Sequence, residues 1–357
     1  MKDDYLWDGS GEPDPEVQKL ENLLGRYRHD QPAPAPAVEQ LVDQLAVRQP
    51  VRRRWSFLLS RLSFQLVAAA AVVLIGVATF FVIRSWQTRN SGPAWEIARI
   101  EGAPRVGWHS LSASSETAKL KVGQTLVTDN ISRASITLDE TGQIEVDPAS
   151  RLRVVASGPN RKRLSLERGT IHATIWAPPG EFVVDTPSAV AVDLGCVYTL
   201  HVDDSGAGLL RTTMGWVGFK LSGHESFIPA GAVCATRPKI GPGTPYFEEA
   251  SASFRDALTK FDFAKITPQE RNALLEILLS EARKEDALTL WHLLSRVSDA
   301  DRPGVYDRLA ALAPPPVDVT REGILRLDQK MLDLWWNSLG YGDVFLWRTF
   351  ERNWSQR

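Results

Sequence analysis

The run from Phe64 to Ile83 constrains this chain more than any other stretch. "FQLVAAAAVVLIGVATFFVI" carries no charge, and Gln65 is its only strongly polar residue. At about 1.5 Å per residue, some twenty residues span roughly 30 Å, the thickness of a bilayer's hydrocarbon core. A surface helix of a soluble protein keeps a polar face over such a length, and this run has none. A cleaved signal peptide would be shorter and lie at the N-terminus. The spacing therefore predicts a transmembrane helix over residues 64–83.

Arginines set its direction. Arg48, Arg52, Arg53, Arg54 and Arg61 precede the run, and only Arg84 and Arg89 follow closely. The positive-inside rule puts the N-terminus in the cytoplasm and everything after Arg84 outside, with Arg52, Arg53, Arg54 and Arg61 as topology determinants. Residues 51–63 form a basic juxtamembrane segment suited to the inner leaflet, so the bilayer is the first expected partner.

Residues 1–50 make a short cytoplasmic head. "DPEVQKLENLLGRYRHD" predicts an amphipathic helix capped by Asp14, with Val17, Leu20, Leu23, Leu24 and Tyr27 on one stripe. "QPAPAPA" is an extended spacer, and "AVEQLVDQLAV" a second short helix. So little apolar material hardly forms a core alone, which makes Val17, Leu20, Leu24 and Tyr27 a candidate partner-binding stripe; a tether with nascent helices is the other reading.

Beyond "RNSGPA" the period becomes two. Short alternating runs such as "RASITL", "GQIEV", "SRLRVVA" and "KRLSLERGTIHATIW" are separated by Gly, Pro, Asp and Asn. This predicts an all-β sandwich, jelly roll or short β-solenoid over residues 97–240. From Tyr246 to the end the period is helical. Thr267, Pro268 and Glu270 form a capping box with a proline at the first helical position. "EDALTLWHLLSRV" follows closely enough to predict an antiparallel hairpin with that helix. "PGVYDRLAAL" and a helix opened by Thr320 come next. Trp335 and Trp336 are adjacent on it, so one is expected in the core and the other either exposed or covering a neighbouring helix.

The search for chemistry is negative. The chain has 41 Lys and Arg against 43 Asp and Glu, a net charge of −2, which points to no nucleic-acid partner. There is no phosphate-binding glycine loop, no Gly-x-Ser-x-Gly elbow and no His-Glu-x-x-His, and "GAGLLR" is expected to be a turn. The six histidines lack metal-ligand spacing. His172 and His201 fall on strands and are expected to face solvent or satisfy a local bond. No catalytic residue, cofactor site or metal site is expected, and the chain is not read as an enzyme. The head lacks cysteine, which excludes a zinc-binding anti-sigma head. Cys196 and Cys234 leave two arrangements open: a disulfide closing a loop of about forty residues, worth roughly 3–4 kcal/mol, or two separate buried thiols. Gly195 beside Cys196 either continues a strand or marks a bulge.

An ordered series of these signals resembles the FecR domain, the periplasmic sensor domain of bacterial transmembrane regulators. "VGQTLVTDNISRASITLDETGQIEVDPASRLRV" resembles its opening. "LERGTIHATI" is similar to its Leu-x-x-Gly-x-hydrophobic strand pair. "FVVDTPSAVAVDLGCVYTLHV" resembles its Phe-x-Val-x-Thr-Pro core and Leu-Gly-Thr turn, and "GWVGF" and "IPAG" its closing strands. The resemblance covers about residues 97–237. It implies a single-pass protein of the bacterial inner membrane, N-terminus cytoplasmic and C-terminal region periplasmic. The outside domain would sense an envelope signal, and the head would modulate a partner such as an extracytoplasmic-function sigma factor. The exterior would meet an envelope protein or ligand. Cys196 stands in place of the turn threonine, which favours pairing with Cys234. Two features depart from the family: the head is short, and a large helical region, residues 246–357, replaces the small terminal domain. They suit an alternative, a membrane-anchored periplasmic ligand-binding or scaffold protein without sigma-factor control.

Overall fold

The computed structural model describes residues 94–344, apart from 113, 115 and 222, together with Pro15, Gln18 and Lys19, which are helical and exposed. The expected span, 64–83, Arg52, Arg53, Arg54 and Arg61, and the stripe Val17, Leu20, Leu24 and Tyr27 lie outside the described residues. No helix among the described residues is long and apolar enough to cross a membrane.

Strands come first. In chain order they are Trp95–Glu101 (β1), Arg105–Val106 (β2), His109–Ser110 (β3), Thr117–Leu120 (β4), Thr125–Val127 (β5) and Arg133–Thr137 (β6). Gly142–Val146 (β7), Arg151–Gly158 (β8), Arg161–Ile175 (β9), Phe182–Asp185 (β10), Val190–Asp193 (β11) and Val197–Val202 (β12) follow. Gly208–Met214 (β13), Trp216–Leu221 (β14), His224–Pro229 (β15), Ala232–Arg237 (β16), Gly241–Pro242 (β17) and Tyr246–Phe247 (β18) complete them. Their burial alternates as the period-two sequence requires: in β7, Gly142, Ile144 and Val146 are buried while Gln143 and Glu145 are exposed.

The strands make a sandwich of two sheets that share one member. The first sheet runs β4, β1, β6, β7, β9, β12, β13, β16. The second runs β3, β2, β5, β8, β9, β10, β11, β14, β15. Residues 161–168 of β9 pair in the second sheet and residues 169–175 in the first. Pairing is antiparallel except between β9 and β10. At the bend Gly169 has φ +96°, and a Cβ there would lie 2.3 Å from the Ser150 Cα, so both conformation and space demand glycine. Inward side chains such as Ile136, Leu152, Leu164, Ile171, Phe182 and Leu200 fill the space between the sheets.

Among the described residues six helices follow: Ala252–Phe263 (α1), Pro268–Glu281 (α2), Ala287–Leu293 (α3), Arg302–Leu312 (α4), Arg321–Leu325 (α5) and Gln329–Ser338 (α6). The capping box of α2 forms as the sequence predicts, with Thr267 accepting from the Glu270 N–H and Glu270 accepting from the Thr267 N–H. α2 packs chiefly on α1, and α3 on α4, so the expected hairpin of α2 with α3 is not the main contact. Leu327, at φ +57°, breaks the helix expected from Thr320, and Asp328 caps its second half.

The helices are continuous with the sandwich. One hydrophobic core runs from Trp95 through Phe227 to Trp336 and Val344, and all these residues belong to a single compact unit. The boundary at residues 240–246 therefore does not separate two bodies. Strand pairing also runs past it, to Tyr246 and Phe247. Both adjacent tryptophans are buried: Trp335 donates its indole N–H to the Ala313 carbonyl, while Trp336 packs against Phe227 and against Trp291 of α3, so the second covers a neighbouring helix.

The expected disulfide is not formed. Cys196 and Cys234 are both free and buried. Cys234 faces Leu210, which faces Leu200, four residues along β12 from Cys196. That places them roughly 10 Å apart across the strands and about 13 Å along them, far beyond disulfide reach.

Candidate functional site

The outer face of the first sheet carries most of the polar side chains that converge. Backbone register brings Ser135, Glu145, His172 and Thr199 into one row across four strands. His172 Nε2 lies 2.8 Å from Asp147 Oδ2, and its Nδ1 lies 3.0 Å from the Thr199 hydroxyl. Arg133 bonds the other oxygen of Asp147. Burial pulls the Asp147 carboxyl up, but the bonds from His172 and Arg133 outweigh it and leave its pKa below the ordinary value. His201 Nδ1 meets the Thr170 hydroxyl at 2.9 Å, and the Gln143 amide donates to the Ser135 hydroxyl at 2.8 Å. His172 and His201 lie on strands and reach solvent, as expected, but their bonds run to partners 25 to 31 residues away rather than to local groups. The partner of His172 was not legible, because Asp147 lies 25 residues away and meets it only through the β7–β9 pairing.

A hydroxyl, an imidazole and a carboxylate in line resemble a hydrolytic relay. Thr199, however, sits in a strand paired on both sides, so the ladder consumes the neighbouring backbone N–H groups that an oxyanion would need. What the row offers is an array of oriented donors and acceptors facing outward.

A groove flanks this face at each end. One, of about 810 Å³, lies at the β9 bend and is lined by Arg105, Asp129, Arg168, His201, Asp203 and Asp204. Asp129 and Asp203 are held in their own turns, by the Ile131 and Ser132 N–H groups and by Ser205 and Ala207. The other, of about 670 Å³, is lined by Glu140, Gln143, Glu145, His172 and Trp176. Among the described residues, no group of three or more His, Cys, Asp or Glu side chains is arranged to hold a metal ion.

The turn that carries Cys196 is buried chemistry rather than a surface. Gly195 has φ +84°, ending β11 and turning the chain into β12. Asp193 accepts from the Gly195 N–H at 2.7 Å and from the Cys196 thiol. Burial pushes Asp193 up to about 7, against those two bonds. Burial, and then the charge of Asp193, push the Cys196 thiol well above its ordinary value, so it is an inert thiol. Cys234 is likewise pushed up to about 12 by burial.

Residues 124–214 match the FecR protein family. The matched stretch runs from Gln124, just before β5, to Met214 at the end of β13. It holds the shared strand β9, the polar row and the Cys196 turn. No curated protein matches the chain at significant similarity. Two crystal structures, at 1.65 and 2.50 Å, of a protein provisionally described as an anti-sigma factor from Parabacteroides distasonis are similar at 13% identity with a TM-score of 0.31. They cover 37% of this chain and 63% and 62% of their own, so the chain spans less than two thirds of that protein. Such a score transfers neither fold nor function.

Proposed function

We propose that this chain is a single-pass regulator of the bacterial inner membrane. Its FecR-like exterior would sense a state of the envelope, and its head would modulate a cytosolic partner, an extracytoplasmic-function sigma factor being the first candidate. The observation that carries this reading is the FecR match at residues 124–214, set in a chain whose residues 64–83 suit a membrane helix. The arginines before that run support an inward head. The exterior would act by binding rather than by catalysis: its converging polar groups lie on an open sheet face between two grooves, with Thr199 in a fully paired strand.

The test is a pull-down from cells with residues 1–63 as bait. Recovery of a sigma factor is the expected result. A stable, expressed head that captures no cytosolic protein, and whose deletion leaves transcription unchanged, would sink the regulator and leave an anchored envelope module.

A further inference from the structure

Three large apolar side chains stand in solvent at one end of the sandwich, and no part of the described fold covers them. Trp108 is fully exposed, Trp176 is 65% exposed and Met214 is 58% exposed. The strand registers direct all three toward the same end, Trp176 and Met214 two strands apart on the first sheet and Trp108 on the hairpin between β2 and β3 at the edge of the second. β1 begins at Trp95, and Glu96 starts a row that continues through Thr137, Gln143, Thr174 and Val197 to Met214. Trp176 follows Ile175, the last residue of β9, in the same row of chain ends. In the second sheet, β5 starts at this end, joined to β4 by the turn in which the Gln124 N–H bonds the Lys121 carbonyl. The Gly107 N–H bonds the Thr125 carbonyl there, so Trp108 sits on a hairpin tip at that end too.

This is also the end at which the chain comes in. Ten residues, 84–93, separate the apolar run from Ala94. Fully extended they reach at most roughly 33–36 Å, so a span ending at Ile83 keeps this end near the membrane surface. Tryptophan is the side chain that best suits the bilayer interface, with an apolar body and a polar N–H. The charged rim is mixed: Lys121 and Arg161 are exposed beside exposed Asp139 and Glu140.

We infer that the proximal end of the sandwich seats on the outer surface of the bilayer through Trp108, Trp176 and Met214. The seat rests on the proposed span, and its occupant is lipid. Because the rim charges offset one another, it works by apolar burial at the interface and does not require anionic lipid. It would hold the sandwich upright on its helix and leave the β9-bend groove pointing away from the membrane.

The test uses the full chain in nanodiscs made with brominated lipid, which quenches indoles at the interface. The wild type is compared with the double variant Trp108→Phe and Trp176→Phe, which keeps aromatic bulk at two exposed sites. The lipid-quenched emission should fall by about a third to a half in the variant, since Trp55 and Trp86 flank the span and Trp95 and Trp216 lie at this same end. The fall should be the same in zwitterionic and in anionic discs. Equal quenching of variant and wild type would overturn the seat and turn the patch toward a protein partner. Quenching confined to anionic discs would overturn its apolar character. Alkaline carbonate extraction separates the two failures: release from the membrane rejects the span and the seat with it, whereas retention with equal quenching rejects the seat alone.

Discussion

The outer face of the FecR-like sheet and the junction between sandwich and helices use similar residues to opposite ends. On the face, His172 is tied to a hydroxyl and a carboxylate that both reach water. At the junction, His292 is buried: its Nδ1–H donates to the Leu288 carbonyl and its Nε2 accepts the Phe227 N–H from β15. Burial, and then the charge of Arg296, push His292 down to about 3, so it is a neutral part of the core. Arg296 reaches the carbonyls of Pro242 and Glu225 and the Ser226 hydroxyl, and Asp262 takes the Thr244 N–H and hydroxyl. The helices thus cover β15, the edge strand of the second sheet, and bond backbone groups an open edge would leave to water. Polar groups at the junction hold the fold; those on the face remain available to something outside.

The largest effect should come from breaking the junction. Trp336→Ala removes a ring packed on Phe227, Trp291, His292 and Tyr341, and should cost about 3–5 kcal/mol in urea unfolding. The loss should be seen equally by strand and helix signals; a helical region that melts alone would show that the two are separate bodies. Gly169→Ala comes next, at roughly 2–4 kcal/mol, because the new Cβ would run into Ser150 where both sheets meet.

Acid sharpens the contrast. His292 is held below its unfolded value of about 6.5, so its contribution is present above that pH and is lost as pH falls toward 3. Asp193 behaves the other way. Its pKa is raised to about 7, so its contribution is complete below about 4 and is lost as pH rises through 7. Asp193→Asn should therefore stabilise the protein at pH 8 by at least about 1 kcal/mol and flatten its profile between pH 4 and 7. Thermal melts of the variant across that range check it; an unchanged slope would show that Asp193 stays ionised. The smallest effect belongs to the face. His172→Ala should cost less than about 1 kcal/mol, since its partners stay solvated. A loss as large as that of Trp336→Ala would make the face a structural element.

Alternation in the sequence reveals the strands because each has one wet side, as in β7, where Gln143 and Glu145 flank Ile144. The capping box at Thr267 is legible because its three residues act within one turn. What fails or stays open is non-local. The resemblance favours the disulfide, yet Cys196, in the turn that leads into β12, and Cys234, in β16, lie on either side of β13. Trp335 and Trp336 cannot share a helix face, but α6 is enclosed on two sides, by Ala313 and by Phe227, and so buries both. Helix α1 falls inside the stretch read as helical from Tyr246, but Arg255, Asp256 and Lys260 interrupt its apolar residues and blur its bounds. His172 with Asp147 is invisible until β7 and β9 pair.

The bent strand β9 bears on the order in which the protein can be made. It belongs to both sheets, so neither sheet can be completed and left waiting for the other. The partners of β9 extend from β7 to β12, and β15 gains its cover only when His292 and Arg296 arrive. A chain delivered N-terminus first, from a ribosome or across a membrane, must therefore keep its strands open until its last third is through. During that interval β15 is an unpaired edge, and the period is when a chaperone would matter most.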